Sequence, residues 1–142
     1  VLLAVDAPFS TQNATVGPLS MLESYARVIA ALGPNSSVRH SDGAAYASDR
    51  TLTYHHGAYV VVLRFEDDRL DGIEIKRGHD TTSPQTASDV GSWRWMGARV
   101  VDDAPAAVPG FTRRTDVDGA KAVFERPGMQ ASFGPGFVIG IE

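Results

Sequence analysis

Apolar residues change their period along this chain. Leu22, Tyr25, Ala26, Ile29 and Leu32 recur at the spacing that places them on one face of a helix. Ser20 and Glu23 stand at capping-box spacing, where each side chain can satisfy the other's free backbone N–H. Gly33 and Pro34 end the helix, since Gly takes a left-handed cap and Pro cannot continue the turn. From residue 51 the period falls to two. This pattern predicts strands over residues 51–55, 59–65 and 70–76, joined near Gly57 and across 66–69 into an antiparallel meander. Residues 1–5 read as a first strand interrupted by Pro8, and residues 10–18, 35–50 and 77–88 as loops.

The second half is harder to read. Residues 92–101 fit a helix or a strand, and Trp93 and Trp95 share a face only on a strand. Strands follow at 120–125, 129–133 and 137–141, with Gly134-Pro135-Gly136 as a type II bend. At an offset of 68 residues Phe65 falls on Phe133, Gly72 on Gly140, Ile73 on Ile141 and Glu74 on Glu142. The same offset sets Tyr25 over Trp93, Val28 over Met96 and Leu32 over Val100, which favours the helical reading of 87–100.

The alternation sorts the strand residues by face. Tyr59, Val61, Leu63 and Phe65, with Ile73 and Ile75, face a core, as do Met129, Ala131, Phe133, Ile139 and Ile141. His55, Arg64, Glu74 and Lys76, together with Val60 and Val62, face the other way, as do Gln130 and Ser132. The expected fold class is therefore α+β: an antiparallel sheet with helices on one side and an open face on the other. In its finer form the expectation is two tandem helix-plus-three-strand units. They make one domain, 1–142, of two related halves, 1–77 and 78–142.

Composition narrows the chemistry. The chain has 142 residues, no cysteine and a net charge of −4. Without cysteine there is no disulfide, thiolate zinc site or cysteine nucleophile. The acidic balance argues against nucleic acid as a partner, which needs clustered positive charge. No apolar run approaches the roughly 20 residues of a membrane span. Eleven Arg against only Lys76 and Lys121, with abundant Ala, Gly and Val, fit the coding bias of a GC-rich bacterial genome. A start at Val1 is expected of a chain whose leader was removed or whose end was trimmed.

Leu32-Gly33-Pro34 closing a helix, a polar loop, and a strand pair carrying Phe65-Glu66-Asp67-Asp68-Arg69-Leu70 and Gly72-Ile73-Glu74-Ile75 form a pattern across residues 17–77, echoed over 86–142. It resembles the repeat unit of the β-lactamase inhibitor protein and the related small outer-membrane lipoproteins, and is similar to that of small bacterial immunity proteins. The inhibitor's disulfides have no counterpart here, and Gly17-Pro18-Leu19-Ser20-Met21 replaces the family's Gly-Met-Thr helix start. The resemblance implies a helical pair packed on an antiparallel sheet and protein binding without catalysis, through the sheet and its loops.

The chemistry-bearing residues are sparse. His55 and His56 are adjacent, so on a strand they point to opposite faces and read as a half-buried pair. His40 with Asp42 and His79 with Asp80 lie in predicted loops, with nothing to fix a metal site. Glu66, Asp67 and Asp68 read as a solvated hairpin tip, and Asp102 and Asp103 likewise. Ser132 lacks a nucleophile elbow, and Gly134, Gly136 and Gly140 read as turn glycines outside any phosphate loop. Trp93 and Trp95 either fill the core or stand as interface anchors. The expected partner-binding residues are Trp93, Trp95, Arg94, Tyr46, His55 and Arg64; no catalytic residue, metal or cofactor is expected. The function expected is that of an inhibitor or immunity protein that occludes a bacterial enzyme or toxin in the periplasm or cell envelope. An envelope assembly module and a small enzyme or ligand carrier with a curved sheet remain as alternatives.

Overall fold

A computed structural model describes residues 11–35, 39–40, 49–78, 82–101, 104–114 and 122–141, with only the backbone at 11, 12, 39 and 40. The chain opens with one helical turn, α1 (Thr11–Ala14), and a small hairpin, β1 (Thr15–Val16) with β2 (Leu19–Ser20). Gly17 with φ +57° followed by Pro18 gives the hairpin the residues of a type II′ turn. Then comes α2 (Tyr25–Leu32), which turns Val28 and Leu32 into the core with Tyr25 and Ile29 packed beside them. It starts later than the sequence predicts. Ser24 is the cap, its hydroxyl accepting from Arg27 N–H at 3.3 Å. Glu23 does accept from Ser20 N–H at 3.0 Å, but within a turn that leaves Leu22 outside the helix at φ +68°.

The strands that follow are β3 (Arg39–His40), β4 (Arg50–His56), β5 (Tyr59–Glu66) and β6 (Arg69–Arg77). After a 3-10 turn at Val90–Ser92 come β7 (Arg94–Trp95), β8 (Ala98–Arg99), β9 (Thr112–Arg114), β10 (Ala122–Arg126), β11 (Met129–Phe133) and β12 (Phe137–Ile141). Eight of these form one antiparallel sheet, ordered β3-β4-β5-β6-β12-β11-β10-β9. The order is mirrored: each half supplies an edge strand and a three-stranded meander. The halves meet where β6 pairs with β12, in register Gly72↔Gly140, Ile73↔Ile139 and Ile75↔Phe137. Gly134 and not Gly136 takes the positive φ (76°), so the bend before β12 is not the predicted type II turn with Pro135 first and a left-handed glycine after it.

The α+β expectation is overturned. The fold is mostly β, with 50% of the described residues in strands and 12% helical. Among the described residues α2 alone exceeds one helical turn. The two tandem helix-plus-three-strand units are not found, because among the described residues the second half has no counterpart of α2. Met96 (φ 53°) and Gly97 (φ 84°) lie in the left-handed region, which no α-helix can contain, and they turn the chain between β7 and β8. Trp93 and Trp95 therefore lie along extended chain and both point inward, 3% and 0% exposed. The predicted strand at 1–5 lies outside the described residues.

The core lies between the sheet and the covering layer of α2, the two hairpins and the connecting loops. Trp95 is central to its second half, with Phe111, Phe124, Phe133 and Phe137 ring centroids at 5.2, 6.4, 6.2 and 6.1 Å. Its indole N–H donates to Asn13 C=O at 2.8 Å, tying the second half to the start of the described chain. Edge-to-face and tilted contacts of this kind add to the area that the rings bury.

Candidate functional site

Strand alternation gives the sheet an outer face that the covering layer leaves free. Two rows cross it. One runs Thr53, Val62, Glu74, Val138, Ser132, Val123 and Arg114, each opposite the next. The other runs Thr51, Arg64, Gly72, Gly140, Gln130, Glu125 and Thr112. Among the described residues Arg64, Lys76, Thr112, Arg114 and Val138 are exposed on this face, Thr51, Thr53, Val62, Glu74, Glu125, Gln130 and Ser132 are half-buried, and Val60 and Val123 toward its two ends are buried. Val138 is 39% exposed, one of two large apolar side chains so placed among the described residues. At the seam Gly72 and Gly140 oppose each other, so the middle of this row carries no side chain of its own. The Arg64 stem runs beside Gly72, and its Nη2 lies 3.8 Å from Glu74 Oε1.

At one corner the pairing of β5 with β6 is irregular. Arg64 opposes Gly72 and Phe65 opposes Leu70, so Asp71 is the extra residue of a bulge. Asp71 lines an open depression of about 240 Å³ with Asp49, Arg50, Thr51, Arg64, Phe65 and Glu66. Burial pushes its carboxyl above the usual range, and the neighbouring Glu66 carboxyl adds to the shift by charge and by a hydrogen bond; Arg64 opposes it. Asp67 and Asp68 form the turn itself, both at φ 57°. Arg50 pairs with Asp68 at 2.8 Å and stacks over the Tyr25 ring at 4.1 Å.

A second open depression, of about 350 Å³, lies at the β7–β8 hairpin between Gly17, Pro18, Ser88, Asp89, Ser92, Trp93 and Arg94. The Trp93 ring closes on Gly17, and its N–H donates to Ser88 Oγ at 2.9 Å. Arg94 is exposed and donates to Gly97 C=O at 2.8 Å. Arg99 reaches Gly91 C=O through both Nε and Nη2.

The two histidines hold a connecting segment against the edge of β4. His55 bonds through its backbone to Pro84 C=O and Thr86 N–H, and its Nδ1 lies 3.3 Å from Ser83 Oγ. His56 Nδ1 lies 2.8 Å from Thr86 C=O, which can only accept, so that nitrogen carries the proton. Its Nε2 lies 3.8 Å from Asp89 Oδ1. Among the described residues no group of three or more His, Asp or Glu is arranged to hold a metal ion. No helix among them is long and apolar enough to cross a membrane.

Of the expected partner-binding residues, the structure places Trp93 and Trp95 in the core, where their rings are closed to a partner. Arg94 stands on the β7–β8 hairpin, and Arg64 on the outer face of the sheet. His55 stands on β4, at the edge held by residues 83–86. Tyr46, Asp42, His79, Asp80, Asp102 and Asp103 lie outside the described residues. Val138 and the Gly72–Gly140 pair were missed as site residues, although strand alternation was enough to turn Val138 outward. Asp71 carried no such signal, because a bulge depends on how two strands meet. The chain matches no family model, no curated protein and no solved structure.

Proposed function

We propose that this protein is a non-catalytic binding protein that occludes a partner protein, a bacterial enzyme or toxin, with the outer face of its sheet. The observation that carries the reading is that face itself: a broad antiparallel surface whose other side is packed, with Val138 exposed beside the Gly72–Gly140 pair, which adds no side chain of its own. A largely polar face with Val62 and Val138 accessible at its centre has the make-up of a non-obligate protein interface. The resemblance to inhibitor and immunity proteins leans the same way, and with it we place the protein in the bacterial periplasm or envelope. We read the mirrored strand order as the trace of a duplicated four-strand unit, which gives the outer face two matched halves.

The test is a photo-crosslinking residue placed at Val138 or at Arg94 and activated in the native host. A single stoichiometric protein adduct at Val138, blocked by excess unlabelled protein, is expected. Adducts at Arg94 alone would move the binding surface to the β7–β8 hairpin. No adduct at either position would reject the binding reading.

A further inference from the structure

The charge on the outer face is unevenly divided once its ion pairs are formed. Arg64 is matched with Glu74, Arg114 with Glu125 and Arg50 with Asp68. Asp49, Glu66 and Asp71 enter no ion pair among the described residues. All three line the depression at the bulge. Of the cations on this face outside those pairs, Arg69 stands opposite Glu66 at the turn, and Lys76 lies five residues along β6 from Asp71, roughly 17 Å away at strand rise. The corner around the depression keeps a negative excess: Asp49, Glu66, Asp67, Asp68, Asp71 and Glu74 stand there with only Arg50, Arg64 and Arg69. The centre of the face is neutral and partly apolar. Val62 and Val138 flank Glu74 in one row, about 10 Å apart across two strand spacings. The glycine pair lies in the next row, roughly 7 Å along.

We infer that the outer face docks a basic protein: a Lys or Arg of the partner enters the depression between Asp49, Glu66 and Asp71, and an apolar neighbour packs on Val138 over the bare backbone of Gly140. This rests on the binding reading above and specifies the partner's chemistry. A cation at that corner relieves two crowded carboxyls, a gain that an acidic or neutral partner cannot make. Uncompensated charge at the margin of an interface also speeds encounter with a partner of opposite sign, and salt weakens the effect.

The experiment uses the whole chain, labelled for amide NMR. The probes are two peptides, Lys-Val-Lys-Val-Lys and Glu-Val-Glu-Val-Glu. The cationic peptide is expected to shift amides of residues 64–72 and 138–140, with at least tenfold weaker binding to the double variant Glu66→Gln/Asp71→Asn and weakening as salt is raised. Equal shifts from the acidic peptide, shifts confined to other regions, no shifts, or an unchanged response of the double variant would overturn the inference. The folded state of the variant is verified by its own amide spectrum, and Asp49→Asn is the second variant should the pair not fold. A protein adduct at Val138 with a failed peptide arm removes the basic-partner inference and leaves the binding reading. A crosslinked dimer of this chain at Val138 would make a second copy the occupant and overturn the inference.

Discussion

At the scale of single residues, Gly17 and Trp93 are locked together. Gly17 has φ +57°, and a Cβ placed there would lie 2.5 Å from the Trp93 ring. The ring has little freedom to retreat, because its indole N–H is held by Ser88 and its backbone N–H donates to Val90 C=O at 3.1 Å. Gly17→Ala combines backbone strain with overpacking and is expected to cost about 2 kcal/mol or more in urea denaturation. A loss near zero would mean that Trp93 is not pinned. Asp71 gives a prediction with a definite sign. Its carboxyl is pushed above the ordinary value of 3.8 by burial and by Glu66, so the fold favours its protonated form. The associated stability is fully present below 3.8 and is lost as pH rises through the raised value. At pH 7 the cost of the buried charge is complete. Asp71→Asn is therefore expected to be more stable than the parent at pH 7, with the advantage shrinking as pH falls into the carboxylate range. Thermal melts across that range check it; a constant difference would show that Asp71 is not the group responsible.

At the scale of elements, an unpaired strand edge invites association, and β4 has its edge covered in two stretches. β3 covers one end, in register Arg39↔Thr51, and the 84–86 segment covers the other through His55. His56 reinforces the second stretch by donating to the carbonyl of Thr86, a residue with no exposed surface. His56→Ala is expected to cost about 1 kcal/mol, the net value of one such bond. It should also speed hydrogen exchange at the His55 and Thr86 amides; unchanged protection there would show that the backbone bonds hold the segment without the imidazole. The strands themselves were legible. The predicted strands 51–55, 59–65 and 70–76 appear as Arg50–His56, Tyr59–Glu66 and Arg69–Arg77. Alternation is a local property of a sheet buried on one side, and there nothing overrides it. Over 92–101 the local pattern fits a helix or a strand, and the 68-residue match with α2 leans toward the helix that the structure does not have. The segment's Met96-Gly97 turn and inward tryptophans obey hairpin geometry, for which Gly97 and the alternation of Trp93 with Trp95 were the local signs.

At the scale of the whole molecule, the β6–β12 seam makes the two meanders one sheet, and Trp95 carries contacts from the second half to Asn13. Halves joined by a continuous ladder and a shared core should unfold together. Tryptophan fluorescence, which reports on Trp93 and Trp95, and far-ultraviolet dichroism, which reports on the whole sheet, are expected to give coincident urea transitions. Separate midpoints would mean that the meander of β4–β6 stands alone. The site is also a product of this scale. Arg64 and Val138 could be placed on outward-facing strand positions one strand at a time, but Gly72 and Gly140 become neighbours only because the two halves meet antiparallel at that register.

By itself the sequence determined the strands of both meanders, the face each side chain takes and the stop of α2, because period, β-branching, Gly and Pro act over a few residues. Tertiary structure decided which strands became neighbours, that a second hairpin takes the place of a second helix, that both tryptophans fill the core and that a bulge sets Asp71 beside Glu66. Those outcomes depend on contacts between residues distant in the chain, whose free energy no local pattern records.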